Sequence, residues 1–212
     1  MSRAVLFCNG EIKDDAYHRT LVLDDDFIIA VDGGGNHCFR MGINPHICIG
    51  DFDSMDPTVI KYYKEHNIEC IPFPADKDYI DMVLGIEEAK KRGFDEVLLL
   101  GAMGGKRSDM FLGNALALSS YDENVIMKNE FTEIRFLKEG RLCKFRGHDG
   151  DYFSVIPLSD IVETGKSVGL KYQLENLTFH RGETRSISNE FSSDSCEMVI
   201  NRGEALVIVQ KR

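Results

Sequence analysis

Several acidic residues in this sequence fall just after strand-like runs. Ile47 to Ile49 feeds into Gly50-Asp51-Phe52-Asp53-Ser54. If the chain stays extended there, alternation puts the Asp51 and Asp53 carboxylates on one side and Phe52 on the other. Asp78 and Asp81 stand three apart at the start of a helical pattern. That spacing shares one helix face, at the end where the macrodipole tolerates negative charge. Four carboxylates at loop tips repel one another unless a cation lies among them. Mg²⁺ held by a few carboxylates completes its octahedron with water and substrate phosphate oxygens. Capping and turn formation are the competing use of such aspartates; the presence of two pairs favours the cation.

Glycines occupy the places where a backbone could approach an anion. Val31-Asp32-Gly33-Gly34-Gly35-Asn36 and Gly101-Ala102-Met103-Gly104-Gly105-Lys106-Arg107 each follow a strand-like run. Such turns can present N–H groups to phosphate, and Arg107 could fork onto it. Tight strand-to-helix turns explain the same glycines nearly as well, and Asn9-Gly10 after the first run shares that ambiguity. Lys77 either neutralises phosphate or pairs with its acidic neighbours. The six histidines show no metal-ligand spacing, and no nucleophile elbow or reactive-cysteine context is present. These residues point to a Mg²⁺-dependent enzyme of phosphorylated, nucleotide-type substrates working without a covalent intermediate.

Positioning such residues requires strands that end at them. From residue 1 to about 132, Ala4 to Cys8, Phe27 to Val31, Ile47 to Ile49, Glu69 to Ile71, Val97 to Leu100 and Val125 to Met127 read as strands buried on both faces. Between them, Asp56-Pro57 opens a helix that stops near Asn67. A second helix carries Met82, Val83, Ile86 and Ala89 to Gly93, and a third from Asp109 buries Leu112, Leu116 and Ala117. This alternation predicts an α/β fold, a Rossmann-like parallel-sheet domain over 1–132 with ligands at the carboxyl ends of its strands. From 133 to 212 the helical period disappears. Ile134 to Leu137, Arg141 to Phe145, Tyr152 to Ile156, Leu170 to Leu174, Met198 to Ile200 and Ala205 to Val209 alternate with turn residues such as Gly165 to Gly169. That pattern predicts a C-terminal antiparallel β-sandwich or barrel.

The 212 residues carry 25 Lys and Arg against 35 Asp and Glu, a net charge of −10. That balance lacks the basic stripe that nucleic acid requires. No apolar run approaches the roughly 20 residues of a membrane span, and no secretory leader is evident. Neither nucleic acid nor membrane is expected as a partner, and the expected compartment is the cytoplasm. The six cysteines, scattered without a C-x-x-C pair, read as reduced thiols in apolar strings.

The order of motifs is more specific than any one of them. Asp32-Gly33-Gly34, Gly50-Asp51-Phe52-Asp53-Ser54, Lys77-Asp78-x-x-Asp81 and Gly104-Gly105…Arg107-x-Asp109 with Asn114 beyond resemble the catalytic domain of the thiamine pyrophosphokinase (thiamine diphosphokinase) family. Ser154 to Leu158, Gly169 to Tyr172 and Ser188-Asn189-Glu190 resemble that family's β-rich thiamine-binding domain. The resemblance implies transfer of a diphosphoryl group from ATP to thiamine, giving thiamine diphosphate and AMP. It implies a homodimer with sites between subunits. It also implies Mg²⁺ on Asp51, Asp53 and Asp81 with Asp78 nearby, and ATP on Asp32, Gly33, Gly34, Lys77 and Arg107. Asp109, Ser188 and Asn189 would line the thiamine pocket. Asp53, Asp81, Lys77 and Arg107 would carry the catalysis.

This chain departs from the family pattern at Ile80, where Thr is usual, at Lys106, which interrupts Gly-Gly-Arg, and at Met110, where His is common. A related pyrophosphokinase acting on a hydroxymethylpterin shares the Gly-Asp-x-Asp-Ser motif, and a non-catalytic thiamine or nucleotide sensor could keep the fold. Ser188-Asn189 and the retained acidic residues argue against these two.

Overall fold

The computed structural model describes residues 2–73 and 78–212. The chain divides into two compact units, one of Met1–Asn114 with Met127–Glu130, the other of Ala115–Ile126 with Phe131–Arg212.

The first unit begins with β1 (Arg3–Phe7), α1 (Asp15–Thr20), β2 (Phe27–Val31), α2 (Gly34–Arg40) and β3 (Ile47–Gly50). It continues with α3 (Pro57–Glu65), β4 (Glu69–Pro72), α4 (Asp81–Lys91) and β5 (Glu96–Leu100). The strands lie in the order β5-β1-β2-β3-β4, and each neighbouring pair is parallel. Val5, Leu6, Phe7, Ile29, Ala30, Leu99 and Leu100 are wholly buried, as the continuous apolar runs require of strands covered on both faces. Asp56 caps α3 by accepting from the Thr58 N–H, with Pro57 in the first turn. Gly93, at φ 86, follows α4 in the left-handed conformation that ends helices. Gly85 lets α4 lie close on the sheet: a Cβ there would meet Leu6 Cδ2 at 2.7 Å and Val31 Cγ2 at 2.9 Å.

Two elements cross the division. α5 (Ser108–Ala117) starts in the first unit, and β6 (Val125–Lys128) ends in it. The expectation that α5 buries Leu112 and Leu116 is overturned: they are 58% and 44% exposed, while Asn114 and Ala115 are buried. Apolar residues at 110, 111, 112, 115 and 116 surround the helix, so their spacing could not choose the inward face.

The second unit is wholly antiparallel. β7 (Thr132–Lys138), β8 (Leu142–Arg146), β9 (Tyr152–Pro157), β10 (Ile161–Val168), β11 (Thr178–His180), β12 (Asn189–Glu190), β13 (Ser195–Arg202) and β14 (Glu204–Gln210) form two layers. One runs β12-β9-β14-β7 and the other β11-β10-β13-β8. Both contribute to one core that includes Leu137, Phe145, Phe153, Val155, Val162, Phe179, Met198 and Val207. Phe145, Phe153 and Phe191 meet edge to face. Alternating burial along β8 and β9 matches a sheet with one wet face.

Leu170 to Leu174, expected as a strand, is irregular: it forms one isolated bridge, from Leu170 to Phe191, and is otherwise held by hydrogen bonds with the side chains of Asn189, Thr164 and Ser167. Sequence periodicity passed over the short β11 and β12 and the longer β10, which runs through Gly165 with shifted register on β13. A Cβ on Gly165 would fall 2.4 Å from Asn201 Oδ1. This glycine therefore permits a close strand approach rather than marking a turn. No helix of the described residues is long and apolar enough to cross a membrane.

Candidate active site

In the first unit the chain steps outward from β1 to β4 and then returns to β5 on the other side of β1. Loops leaving β1 and β5 therefore diverge, and a crevice opens at the carboxyl ends of those strands. A cavity of about 550 Å³ lies there, lined among others by Asn9, Glu11, Asp32, His37, Asp81 and Arg107. Its volume is that of a small-molecule site. The two loops are stitched at their roots, where the Cys8 N–H donates to the Leu100 carbonyl at 2.8 Å and the Gly10 N–H to the Gly101 carbonyl at 2.7 Å. Side chains are excluded at this seam: a Cβ on Gly10 would lie 2.3 Å from the Gly101 oxygen.

The acidic residues come together at the ends of β2 and β3. The Asp32 N–H donates to the Ile49 carbonyl at 2.7 Å, and a Cβ on Gly50 would come within 3.0 Å of Asp32 Cα. The two strand ends are thereby drawn against each other. Asp32, Asp51 and Asp53 each offer a carboxylate oxygen, all within 4.8 Å of one another. The extended geometry expected for Asp51 to Asp53 is not what achieves this. Phe52 has φ 64, so the chain turns, and the Asp53 N–H donates to Asp51 Oδ1 at 3.1 Å. Asp32 is also left-handed, at φ 48. Non-glycine residues in that region carry strain, which persists where surrounding contacts over-determine it.

Asp32 is buried, and its Oδ1 has no hydrogen-bond partner among the described residues. Burial pushes its carboxyl above the usual range, opposed by the Gly33 N–H and the Ser54 hydroxyl, with the Asp81 and Asp51 charges adding to the rise. A buried oxygen without a donor, beside two further carboxylates, fits a hard divalent cation. Asp81 opens α4 and lines the cavity. Its charge acts on both Asp32 and Cys8. Asp32, expected among nucleotide contacts, thus sits with the carboxylates expected to hold the metal. Asp78 is exposed and outside the cavity lining, and Lys77 lies outside the described residues.

Gly33 and Gly34 have packing reasons to be glycine. Their added Cβ atoms would lie 1.9 Å from Asn9 Oδ1 and 1.8 Å from the Phe7 carbonyl oxygen, and neither residue lines the cavity. Arg107 lines it and is held by Asp109, with Nε 2.9 Å from Oδ1 and Nη2 2.7 Å from Oδ2. That pairing pulls the Asp109 carboxyl down to about 2. Lys106 stands beside Arg107 in the lining and Met110 follows them. Cys8, also in the lining, has its thiol pushed up to about 12 by burial and, secondarily, by Asp81. It is no nucleophile at neutral pH. All six cysteines are free thiols.

Two polar groups at this cavity, Asn9 and His37, were not selected as site residues from the sequence, and a third, Asn114, stood in the motif string without a role. Asn9 donates through Nδ2 to Asp32 Oδ2 at 3.3 Å. His37 places Nε2 2.8 Å from the Gly10 carbonyl. Because a carbonyl only accepts, Nε2 carries the proton. Burial holds the imidazole below its usual range. Asn114 donates to the Ala102 carbonyl at 2.9 Å, tying α5 to the loop that carries Arg107. The Asn9-Gly10 turn had a sequence signal in its place after a strand, and Asn114 in its place beyond Arg107-x-Asp109, while His37 had none.

In the second unit, Ser188 is exposed at φ 61, and its N–H donates to Ser154 Oγ at 3.0 Å. Asn189 is buried. Its Oδ1 accepts from the N–H groups of Tyr172 and Glu190, and its Nδ2 donates to the Tyr172 carbonyl at 2.7 Å. Its amide therefore holds the Leu170–Tyr172 loop in place and leaves Tyr172 61% exposed.

Comparison with known proteins gives the family. Residues 18–128 match the family model for the thiamin pyrophosphokinase catalytic domain, and residues 133–207 match that for its vitamin B1 binding domain. Asn9 and Gly10 precede the matched segment. A thiamine pyrophosphokinase of Bacillus subtilis is 29% identical over 165 residues, covering 76% of this chain and 77% of that protein. A solved structure of the B. subtilis enzyme superposes with a TM-score of 0.86 at 24% identity, over 100% of this chain and 99% of that one. One from Geobacillus thermodenitrificans gives 0.85 at 26% identity, over 100% and 98%. With both of its domains matched in order along one chain, this protein belongs to the thiamin pyrophosphokinase family.

Proposed function

We propose that this protein transfers the diphosphoryl group of ATP to the hydroxyethyl oxygen of thiamine, releasing AMP and thiamine diphosphate, with Mg²⁺ held by Asp32, Asp51, Asp53 and Asp81. The observation that carries the cation assignment is the convergence of the first three carboxylates beside the switch-point cavity. When bound, Mg²⁺ supplies neutralisation of phosphate charge. In the reaction a bond forms from the thiamine oxygen to the β-phosphorus, and the bond from that phosphorus to the α,β-bridging oxygen breaks. The hydroxyl proton passes to a base among the carboxylates. Such chemistry needs alignment and charge stabilisation more than a covalent intermediate.

Arg107, oriented by Asp109, is placed to pair with phosphate, with Lys77 as a second cation. The glycines after Asp32 serve by letting α2 and Asn9 approach. An acidic pocket suits the cationic thiazolium. By the family resemblance, Asp109 in the first unit and Ser188 and Asn189 in the second are the residues assigned to thiamine. The family resemblance supports a cytoplasmic homodimer with each site shared between subunits.

Purified protein incubated with ATP, Mg²⁺ and thiamine should yield thiamine diphosphate and AMP by mass analysis. Thiamine monophosphate with ADP would mean an ordinary kinase. Turnover only with a hydroxymethylpterin would select the related pyrophosphokinase, and thiamine binding without product would select a sensor. Asp53→Asn should abolish product while leaving the circular dichroism spectrum unchanged; retained activity refutes the cation assignment.

A further inference from the structure

Asn9 belongs to a turn whose position is set from several sides. Its neighbours are stitched to β5 and Gly101 by backbone hydrogen bonds of 2.8 and 2.7 Å, and His37 Nε2–H holds the Gly10 carbonyl at 2.8 Å. The side chain has little freedom. A Cβ on Gly33 would fall 1.9 Å from Asn9 Oδ1 and 2.4 Å from its Cγ, so the amide lies directly on the Gly33 backbone. A carboxylate only accepts, which makes the amide nitrogen the atom facing Asp32, 3.3 Å from Oδ2. The other carboxylate oxygen, Oδ1, is buried without a partner among the described residues, and Asp32 as a whole is 92% buried at the strained φ of 48.

We infer that Asn9 is a positioning residue for the cation site: its amide donor, fixed against Gly33, sets the direction of the Asp32 carboxylate relative to Asp51 and Asp53. The inference rests on the cation reading above and adds to it a residue that never touches the ion. Asn9 arranges the site before any ligand arrives, because every contact that places it is made within the first unit. A carboxylate fixed in advance spends less of its binding energy on becoming ordered.

The competing role is that of a spacer filling the gap over Gly33, and two variants separate them. Asn9→Leu keeps a side chain of similar size and removes the donor, whereas Asn9→Ala removes both. The probe is Mn²⁺ titrated into nucleotide-free protein, with free Mn²⁺ read by electron paramagnetic resonance and melting temperature recorded alongside. Hydrogen bonds to charged groups are worth about tenfold or more in an equilibrium constant, so both variants should bind Mn²⁺ about tenfold more weakly while remaining folded. Unchanged affinity in both overturns the inference alone, as does loss in Asn9→Ala with wild-type affinity in Asn9→Leu. If Asn9→Leu does not fold, unchanged affinity in Asn9→Ala still overturns it. Wild-type protein that binds no Mn²⁺ overturns the cation reading and the inference together. None of these outcomes depends on turnover.

Discussion

Asp32→Asn should make the metal-free protein more stable and the Mg²⁺-bound protein less so. Three carboxylate oxygens within 4.8 Å of one another form three repulsive pairs when ionised. At that separation one pair costs about 3.5 kcal/mol at an effective dielectric of ~20, and about 1 kcal/mol in bulk water. Asp53 is exposed and Asp51 half-buried, so the solvent-screened end of that range applies. Neutralising Asp32 removes two of the three pairs. The amide oxygen can still accept from Asn9, and the new amide donor faces carboxylates whose charges already act on this position. A net gain of about 1–2 kcal/mol is expected in EDTA, or roughly 3–6 °C for a chain of this length. Mg²⁺ at about 100 times its dissociation constant should stabilise wild type by about 2.7 kcal/mol and the variant hardly at all. Differential scanning calorimetry with EDTA or Mg²⁺ measures both effects. A variant that melts below wild type in EDTA refutes the repulsion argument. One whose melting point rises with Mg²⁺ as much as wild type's refutes the cation site.

Two further outcomes test neighbouring parts of the argument. Gly34→Ala should destabilise the protein by about 3 kcal/mol or more, read from the urea midpoint, because its Cβ would sit 1.8 Å from a backbone oxygen of β1 that no rotamer change can move; a wild-type midpoint would show that α2 can shift away without cost. Carbon-detected NMR titration should find the Asp109 carboxyl at about 2 and, in Arg107→Ala, back near 3.9. Since the pairing lowers the folded-state value, its contribution to stability is present above the unfolded value and is lost as pH falls toward 2. An unshifted Asp109 in wild type would show that Arg107 is not held there.

The parallel strands and the capped α3 were legible because their signals are local: continuous apolar runs, and Asp56-Pro57 at a helix start. The β10 strand was not, because Gly165 reads as a turn until the Asn201 side chain is known to lie across it. The inward face of α5 was equally hidden, since apolar residues surround that helix. At the site, motif order pointed to the family and to acidic residues of which Asp32, Asp51 and Asp53 converge, while the close packing that Gly33 and Gly34 permit left no trace in their spacing.

By itself the sequence determined which residues carry charge, where continuous apolar runs become parallel strands, and in what order the motifs occur, because those properties follow from side-chain chemistry and short spacings. Only the tertiary structure decided that Asp32 joins Asp51 and Asp53, that Phe52 turns the chain between them, and that Asn9 meets Asp32. The meetings of Asp32 with Asp51, Asp53 and Asn9 depend on strands far apart in sequence ending side by side at the carboxyl ends of a parallel sheet, and the Phe52 turn is a backbone conformation that alternation does not foresee. Spacing along a chain carries no record of that distance.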